Sequence, residues 1–297
     1  MRTPPFFHYS LFLAIRGLSC DLGEENADSF LHDLHPKLLA DYILANPPFN
    51  LKAWRTEKQL TEDDRWKGYA TPPVGNANYA WILHMLSHLS YDGTAAFLLA
   101  NGALNAGVEG EAEYEIRKKL IQDNKVEAII VLPRDMFYAT DISVTLWLCG
   151  NHKKAKKVRR NGTEVMLRNR ENEILFIDAR EMGDNGANDD GFTLLPEESK
   201  ERIINTVFAW QSEDYRTYYH NIPEFCYSAT IQEIKKKNYA LSPSKYIKFV
   251  NSDNDIDYQK EMLSLQKELT QLSQKMKEGQ FALAKAMEEI GYAIDKS

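Results

Sequence analysis

An α/β fold followed by a long helix is what this 297-residue sequence predicts, on three observations. Short apolar runs of strand length alternate with segments of helical period along most of the chain. One such run, Tyr42-Ile43-Leu44-Ala45, stops abruptly at Asn46-Pro47-Pro48-Phe49. The C-terminal stretch from Asp255 to Ile294 has no proline and keeps apolar residues at alternating four- and three-residue spacing.

Taken in order, Tyr42–Ala45 reads as a buried strand. Two successive prolines cannot extend a ladder, because neither offers a backbone N–H and both fix φ. The chain therefore turns out of the sheet after Asn46, leaving an amide, two rigid carbonyls and an aromatic ring at the carboxyl end of a strand. In open α/β sheets ligands sit at that edge. Leu51 to Gly75 is polar, carries Trp54, Trp66, Pro72 and Pro73, and reads as a long loop over this edge. A helical period follows from Asn78 to Leu89, then a turn at Asp92-Gly93 and a strand from Thr94 to Ala100. Glu111–Asp123 is a helix, Val126–Leu132 a strand ended by Pro133, and Ser143–Cys149 an alternating strand. A short strand at Ile174–Ile177 and a helix running to about Gln211 complete the rhythm. The basic run Lys153 to Arg160 falls between strands and reads as a loop, either touching phosphates or forming a solvated hairpin tip.

The strand end suits one kind of chemistry. The Asn46 side-chain oxygen and the Pro47 carbonyl are two acceptors, and an amino group on a planar ring offers two N–H donors. Holding both pulls the nitrogen toward tetrahedral geometry and frees its lone pair for an electrophilic methyl group. Phe49 can stack on the ring that carries the amine. Together these describe a pocket for an adenine flipped out of a duplex. The plain alternative is a strand ending in an ordinary proline turn.

Composition narrows the class. A net charge of −7 is not that of a free-standing DNA binder, which needs a basic face, but suits a subunit that leaves the grip on DNA to a partner. Cys20, Cys149 and Cys226 are odd in number, widely spaced and without metal spacing, as expected of reduced thiols in a cytoplasmic protein. Leu11–Ile15 is too short to span a bilayer and lacks the flanks of a signal peptide.

The chain resembles the methyltransferase (M) subunit of type I restriction–modification systems. Leu13-Ala14-Ile15-Arg16-Gly17, His35-Pro36, Asn46-Pro47-Pro48-Phe49, Gly75-Asn76-Ala77-Asn78-Tyr79-Ala80-Trp81 and Leu99-Ala100-Asn101-Gly102 carry the likeness, in order. Glu115-Ile116-Arg117-Lys118, Leu132-Pro133 with Met136-Phe137-Tyr138-Ala139-Thr140, and Leu175-Phe176-Ile177-Asp178-Ala179-Arg180 continue it. The resemblance implies transfer of a methyl group from S-adenosylmethionine to the exocyclic amine of adenine in DNA. It implies a Rossmann-like sheet ordered 3-2-1-4-5-7-6, of which this chain supplies the 4-5-7-6 half, with strand 3 left open. Asn46, Pro47, Pro48 and Phe49 become the catalytic residues, and Phe49 and Phe137 the aromatics that stack on the base, with a core phenylalanine as the alternative for Phe137. Asp28 and Asn46 become cofactor contacts, with a turn or helix-capping role as the alternative for Asp28.

The family's glycine-rich cofactor loop has no counterpart upstream of Asp41, so the chain looks like the C-terminal part of an M subunit. Residues 1–225 are then a partial catalytic domain, 226–254 a connecting segment and 255–297 a helical coiled-coil segment for subunit assembly. The strand that carries Asn46 would be an open apolar edge, and the chain would be unstable alone or need a complementing fragment. The seam Tyr258, Met262, Leu265, Leu269, Leu272, Met276, Leu283, Ala286, Ile290 calls for a partner helix. The family implies the specificity (S) subunit in that place, together with a second M subunit and the restriction (R) subunit. The alternatives are an inactive remnant that only binds a subunit, and a related methyltransferase acting on RNA or a protein glutamine.

Overall fold

The computed structural model describes residues 16–17, 19–21, 23–137, 142–160, 162–184, 192–249 and 258–289. The motif residues Leu13–Ile15 and Tyr138–Thr140, the apolar run from Leu11, and Ile290 of the seam lie outside these. The chain divides into two units, Met1–Lys248 and Phe249–Ser297.

The first unit is built on β1 (Ala40–Ala45), β2 (Leu89–Ala100), β3 (Val126–Val131), β4 (Val144–Gly150), β7 (Glu173–Asp178) and β8 (Cys226–Thr230). Their order across the sheet is β1-β2-β4-β3-β7-β8. β1 lies parallel to β2 and β3 parallel to β7, whereas β4 runs antiparallel between β2 and β3, and β8 antiparallel to β7. The first four strands thus reproduce the expected 4-5-7-6 half. No strand precedes β1 among the described residues, so strand 3 is not supplied there.

Alternation along the strands builds two cores, one on each face of the sheet. Ile174 and Phe176 of β7 join Val126, Ile129 and Trp147 on one face, under α1 (Asn78–Ser87) and α2 (Ala112–Gln122). Leu175 and Ile177 join Ala128 and Ile130 on the other, under α3 (Glu197–Gln211) and the single turn α4 (Tyr215–Tyr218). Asp92-Gly93 is not a turn between elements but an irregularity within β2, where the register jumps from Ala40↔Leu89 to Tyr42↔Thr94. Glycine is needed there, because a Cβ on Gly93 would sit 2.8 Å from the Ala40 carbonyl.

Four sequence expectations are corrected. β1 is not a buried strand but the open apolar edge also expected of it: among the described residues it pairs with β2 alone, leaving Tyr42 75% and Leu44 84% exposed while Ile43 and Ala45 face the core. The loop 51–75 is not simply a polar cover, since Trp54 and Trp66 are buried and cluster with Phe30 and Trp81 beside α1. Residues 226–248 are no connector, because β8 completes the sheet, Tyr246 stacks on Phe176 at 4.2 Å and α5 (Ile231–Lys236) opens on a Thr230–Glu233 capping box. The basic run is a loop only over Lys153–Ala155: Lys156–Arg160 forms β5, paired with β6 (Thr163–Leu167) in a separate hairpin.

In the second unit α6 (Tyr258–Glu289) is one unbroken helix of 32 residues, about 48 Å long at ordinary rise. Met262, Leu265, Leu269, Leu272, Met276 and Leu283 of the seam are all exposed. Among the described residues no helix is long and apolar enough to cross a membrane.

Lys153 lies within the basic run yet is fully buried, its ammonium donating to the Val126 carbonyl at 3.0 Å and to that of Glu173. Burial, the largest cause, pushes its pKa down to about 8 despite the nearby Glu127 carboxylate. Lys153→Met should cost roughly 2 kcal/mol in denaturant unfolding, because it strips both carbonyls of their donor. Leu44→Lys should leave the melting temperature within about 1 °C, as a surface change on an edge strand, while lowering self-association in light scattering.

Candidate functional site

The site grows from the place where β1 stops. Asn46 is exposed at the carboxyl end of the strand, Pro47 buried, Pro48 exposed and Phe49 half-buried. The buried Pro47 anchors the turn, so the amide beside it is presented outward from a fixed backbone. Phe137, beyond the end of β3 and Pro133, meets Phe49 edge to face, with ring centroids 6.1 Å apart and planes at 80°. The structure therefore brings together the two aromatics expected to stack on a base. They present an edge and a face rather than two parallel faces, so sandwiching a base between them requires one ring to turn.

A second set of residues holds the turn in place. Asn50 sits at φ 53°, a left-handed conformation that asparagine tolerates. Its N–H donates to Asn78 Oδ1 at 3.0 Å, and Asn78 Nδ2 donates to Asn50 Oδ1 at 2.9 Å. Asn76 Nδ2 also donates to Asn50 Oδ1, at 3.3 Å, and Asn76 Oδ1 accepts from the Asn78 N–H at 2.9 Å. Asn78 is buried and does not cap α1 with its side chain; Ala77 occupies the cap position. Asn76 and Asn78 thus order the loop after the proline turn.

Neighbouring strand ends add polar groups that sequence reasoning did not single out. Asn101 follows β2 directly, and with its amide turned to satisfy the local donors and acceptors it donates to the Ser143 and Val144 carbonyls and the Thr145 hydroxyl. At the end of β7 the Arg180 guanidinium holds the Asp178 carboxylate at 2.6 Å. The available signal was the family likeness, whose motifs include Asn101, Asp178 and Arg180 without giving them a role.

Asp28 is placed differently. It is exposed, and its Oδ1 accepts from the N–H groups of Phe30 at 2.8 Å and Leu31 at 3.0 Å, closing its own turn. Its neighbours Ala27 and Ser29 line a cavity of about 380 Å³ whose far wall is Ala40 at the start of β1 and His84, Met85 and His88 at the end of α1. That is the end of β1 away from Asn46, and this geometry supports the turn-forming alternative for Asp28. Burial, then the neighbouring His88 and Arg65 charges, push the His84 imidazole in this cavity down to about 4.

The strand order, with the Asn-Pro-Pro-Phe turn at the carboxyl edge, is that of half a Rossmann-like methyltransferase sheet. The chain belongs to the N-6 DNA methylase family, whose model matches residues 10–255. It is 37% identical to the methylase subunit of the type I restriction enzyme HindI of Haemophilus influenzae, a match over 94% of this chain and 58% of that one. The MjaIX methylase subunit of Methanocaldococcus jannaschii is 32% identical over 88% of this chain and 44% of its own. The chain thus spans about half the length of the curated relatives it matches. Among solved structures, a type I restriction–modification methyltransferase subunit from Streptococcus thermophilus superposes with a TM-score of 0.64 at 24% identity, covering 80% of this chain and 45% of that chain. The EcoKI M protein gives 0.53 at 16% identity, covering 93% and 58%. Both likenesses establish the fold.

Methyltransferases of this family in general draw on S-adenosylmethionine. The acceptor pair here, Asn46 Oδ1 and the Pro47 carbonyl, fits the amine that receives the methyl group rather than the methyl donor, and among the described residues no glycine-rich turn follows a strand upstream of β1. Asn78→Ala should lower stability by about 1–2 kcal/mol in chemical denaturation, because it leaves the Asn50 N–H without its acceptor.

Proposed function

We propose that this chain carries the base-holding part of an N6-adenine DNA methyltransferase and works as the modification subunit of a type I restriction–modification assembly. The observation that supports it most is the exposed Asn46 amide beside the buried Pro47, with Phe49 and Phe137 in contact at the same strand edge. In this reading an adenine leaves the duplex and lies against Phe49 or Phe137. Asn46 Oδ1 and the Pro47 carbonyl accept its two amino hydrogens, and the nitrogen lone pair is turned outward. S-adenosylmethionine supplies an electrophilic methyl group on a sulfonium. Taking up that methyl group would oblige the amine to give up one proton, which would pass to water. The chain's contribution is positioning and polarisation by neutral acceptors.

The seam of α6 fits a helical partner, and the proposed one is the specificity subunit. The same assembly would hold a second copy of the modification subunit, the restriction subunit and DNA. An acidic chain with net charge −7 then leaves sequence choice and most of the phosphate grip to that partner.

In the assembled enzyme, Asn46→Ala should abolish methyl transfer to DNA while calorimetry still detects cofactor binding. Phe49→Ala should slow transfer by about ten- to a hundredfold, the loss expected for one stacking platform. Transfer at the normal rate in the Asn46 variant would remove the site from the reaction. Leu269→Lys with Leu272→Lys should prevent co-purification with the specificity subunit and leave the melting of the Met1–Lys248 unit unchanged.

A further inference from the structure

At the amino end of β1, away from the methyl-transfer site, two histidines and a carboxylate converge. His84 lies in the last turn of α1 and His88 is its C-cap residue, four positions on, so both rings leave the same side of the helix. Their centroids are 4.5 Å apart. Asp33 approaches from the segment before β1, with Oδ2 2.9 Å from His88 Nε2. One ligand atom from each of the three lies within 4.8 Å of the others.

The hydrogen bonds around His88 say which nitrogen faces the cluster. Nδ1 lies 2.9 Å from the His84 carbonyl, which can only accept, so the ring hydrogen is on Nδ1. In the neutral ring Nε2 therefore carries a lone pair. That atom is buried in a residue only 9% exposed, and the group facing it is the Asp33 carboxylate oxygen at 2.9 Å. A lone pair set against a carboxylate in a buried place is satisfied by a proton or by a metal cation between them, and the third ligand nearby, His84, suits the metal. The Nδ1–H···O=C bond is also the support that orients metal-binding histidines elsewhere. Asp33 is held in turn, its Oδ1 accepting from the His35 N–H at 2.9 Å.

We propose that Asp33, His84 and His88 form a binding site for a borderline divalent transition metal such as Zn²⁺, with a fourth ligand drawn from the adjoining cavity. Imidazole nitrogen and carboxylate oxygen are ligands of that class of ion. The cavity is wide enough to admit a hydrated ion and also presents His32, His35 and Glu25. One contact must yield: Arg65 Nη1 lies 3.2 Å from His84 Nδ1. Arg65 is also held by Asp63 and by the carbonyls of Ser29 and Phe30, so it keeps its place when that contact is given up. The bound ion would fasten the segment before β1 to the end of α1, a structural role independent of methyl transfer.

The test is titration of the chelator-treated full chain with Co²⁺, followed by visible absorption, and with Zn²⁺, followed by melting temperature. The expected result is saturation at one equivalent, with d–d bands and a melting temperature that rises with Zn²⁺. Asp33→Asn and His88→Gln should each weaken binding at least about tenfold. His152→Ala, at a surface histidine paired with Asp92, should leave it unchanged. Absence of saturable binding, or equal affinity in the Asp33 and His88 variants, would overturn the site. Should either variant fail to fold, the native chain decides alone: no visible band at one equivalent of Co²⁺ refutes the proposal.

Discussion

The constraint on which the rest depends is the forced exit of β1 from the sheet at Asn46. A strand pairs as long as each residue can offer an N–H, and Pro47 and Pro48 remove two in succession. The ladder with β2 therefore ends at Ala45↔Phe97. Because Pro47 is buried, the backbone cannot swing to relieve the turn. The amide side chain is thereby fixed in the one region of an α/β sheet where parallel strand ends leave room for a ligand. Asn50, Asn76 and Asn78 then tie the far side of the turn to the start of α1. The site's rigidity comes from sheet, proline and helix together.

The same strand carries the structure's main unmet demand. Among the described residues β1 has a neighbour on one side only, and it shows Tyr42 and Leu44 to solvent. Apolar side chains on an open edge are a liability that proteins usually cover. The proposed assembly gives a reason for it, since a surface that must pair with another segment cannot also be blunted by charge. The exposed seam of α6 follows the same logic in helical form.

Much of this was legible in the sequence because it is local. The proline stop, the helices over Asn78–Ser87 and Ala112–Gln122, the strand β4 and its place in the sheet order follow from periodicity, punctuation and the family likeness. What escaped depends on partners distant in the chain. β8 is recognisable only through its pairing with β7, some fifty residues earlier. Lys153 looks solvated by its charged neighbours, but two carbonyls from separate strands draw it inward. β1 looked buried because its residues are apolar, whereas burial depends on what lies beside it. Asp33, His84 and His88 have no contiguous motif, since the carboxylate comes from a different segment. The edge-to-face meeting of Phe49 and Phe137 likewise needed the sheet to form.

The central claim is that the strand-tip acceptors hold the exocyclic amine of an adenine in DNA. The most direct measurement is to let the assembled enzyme transfer an isotope-labelled methyl group to DNA, then digest the DNA to nucleosides and identify the product by mass spectrometry. The account predicts label in N6-methyladenine alone. Label on cytosine, or in protein rather than DNA, would contradict it.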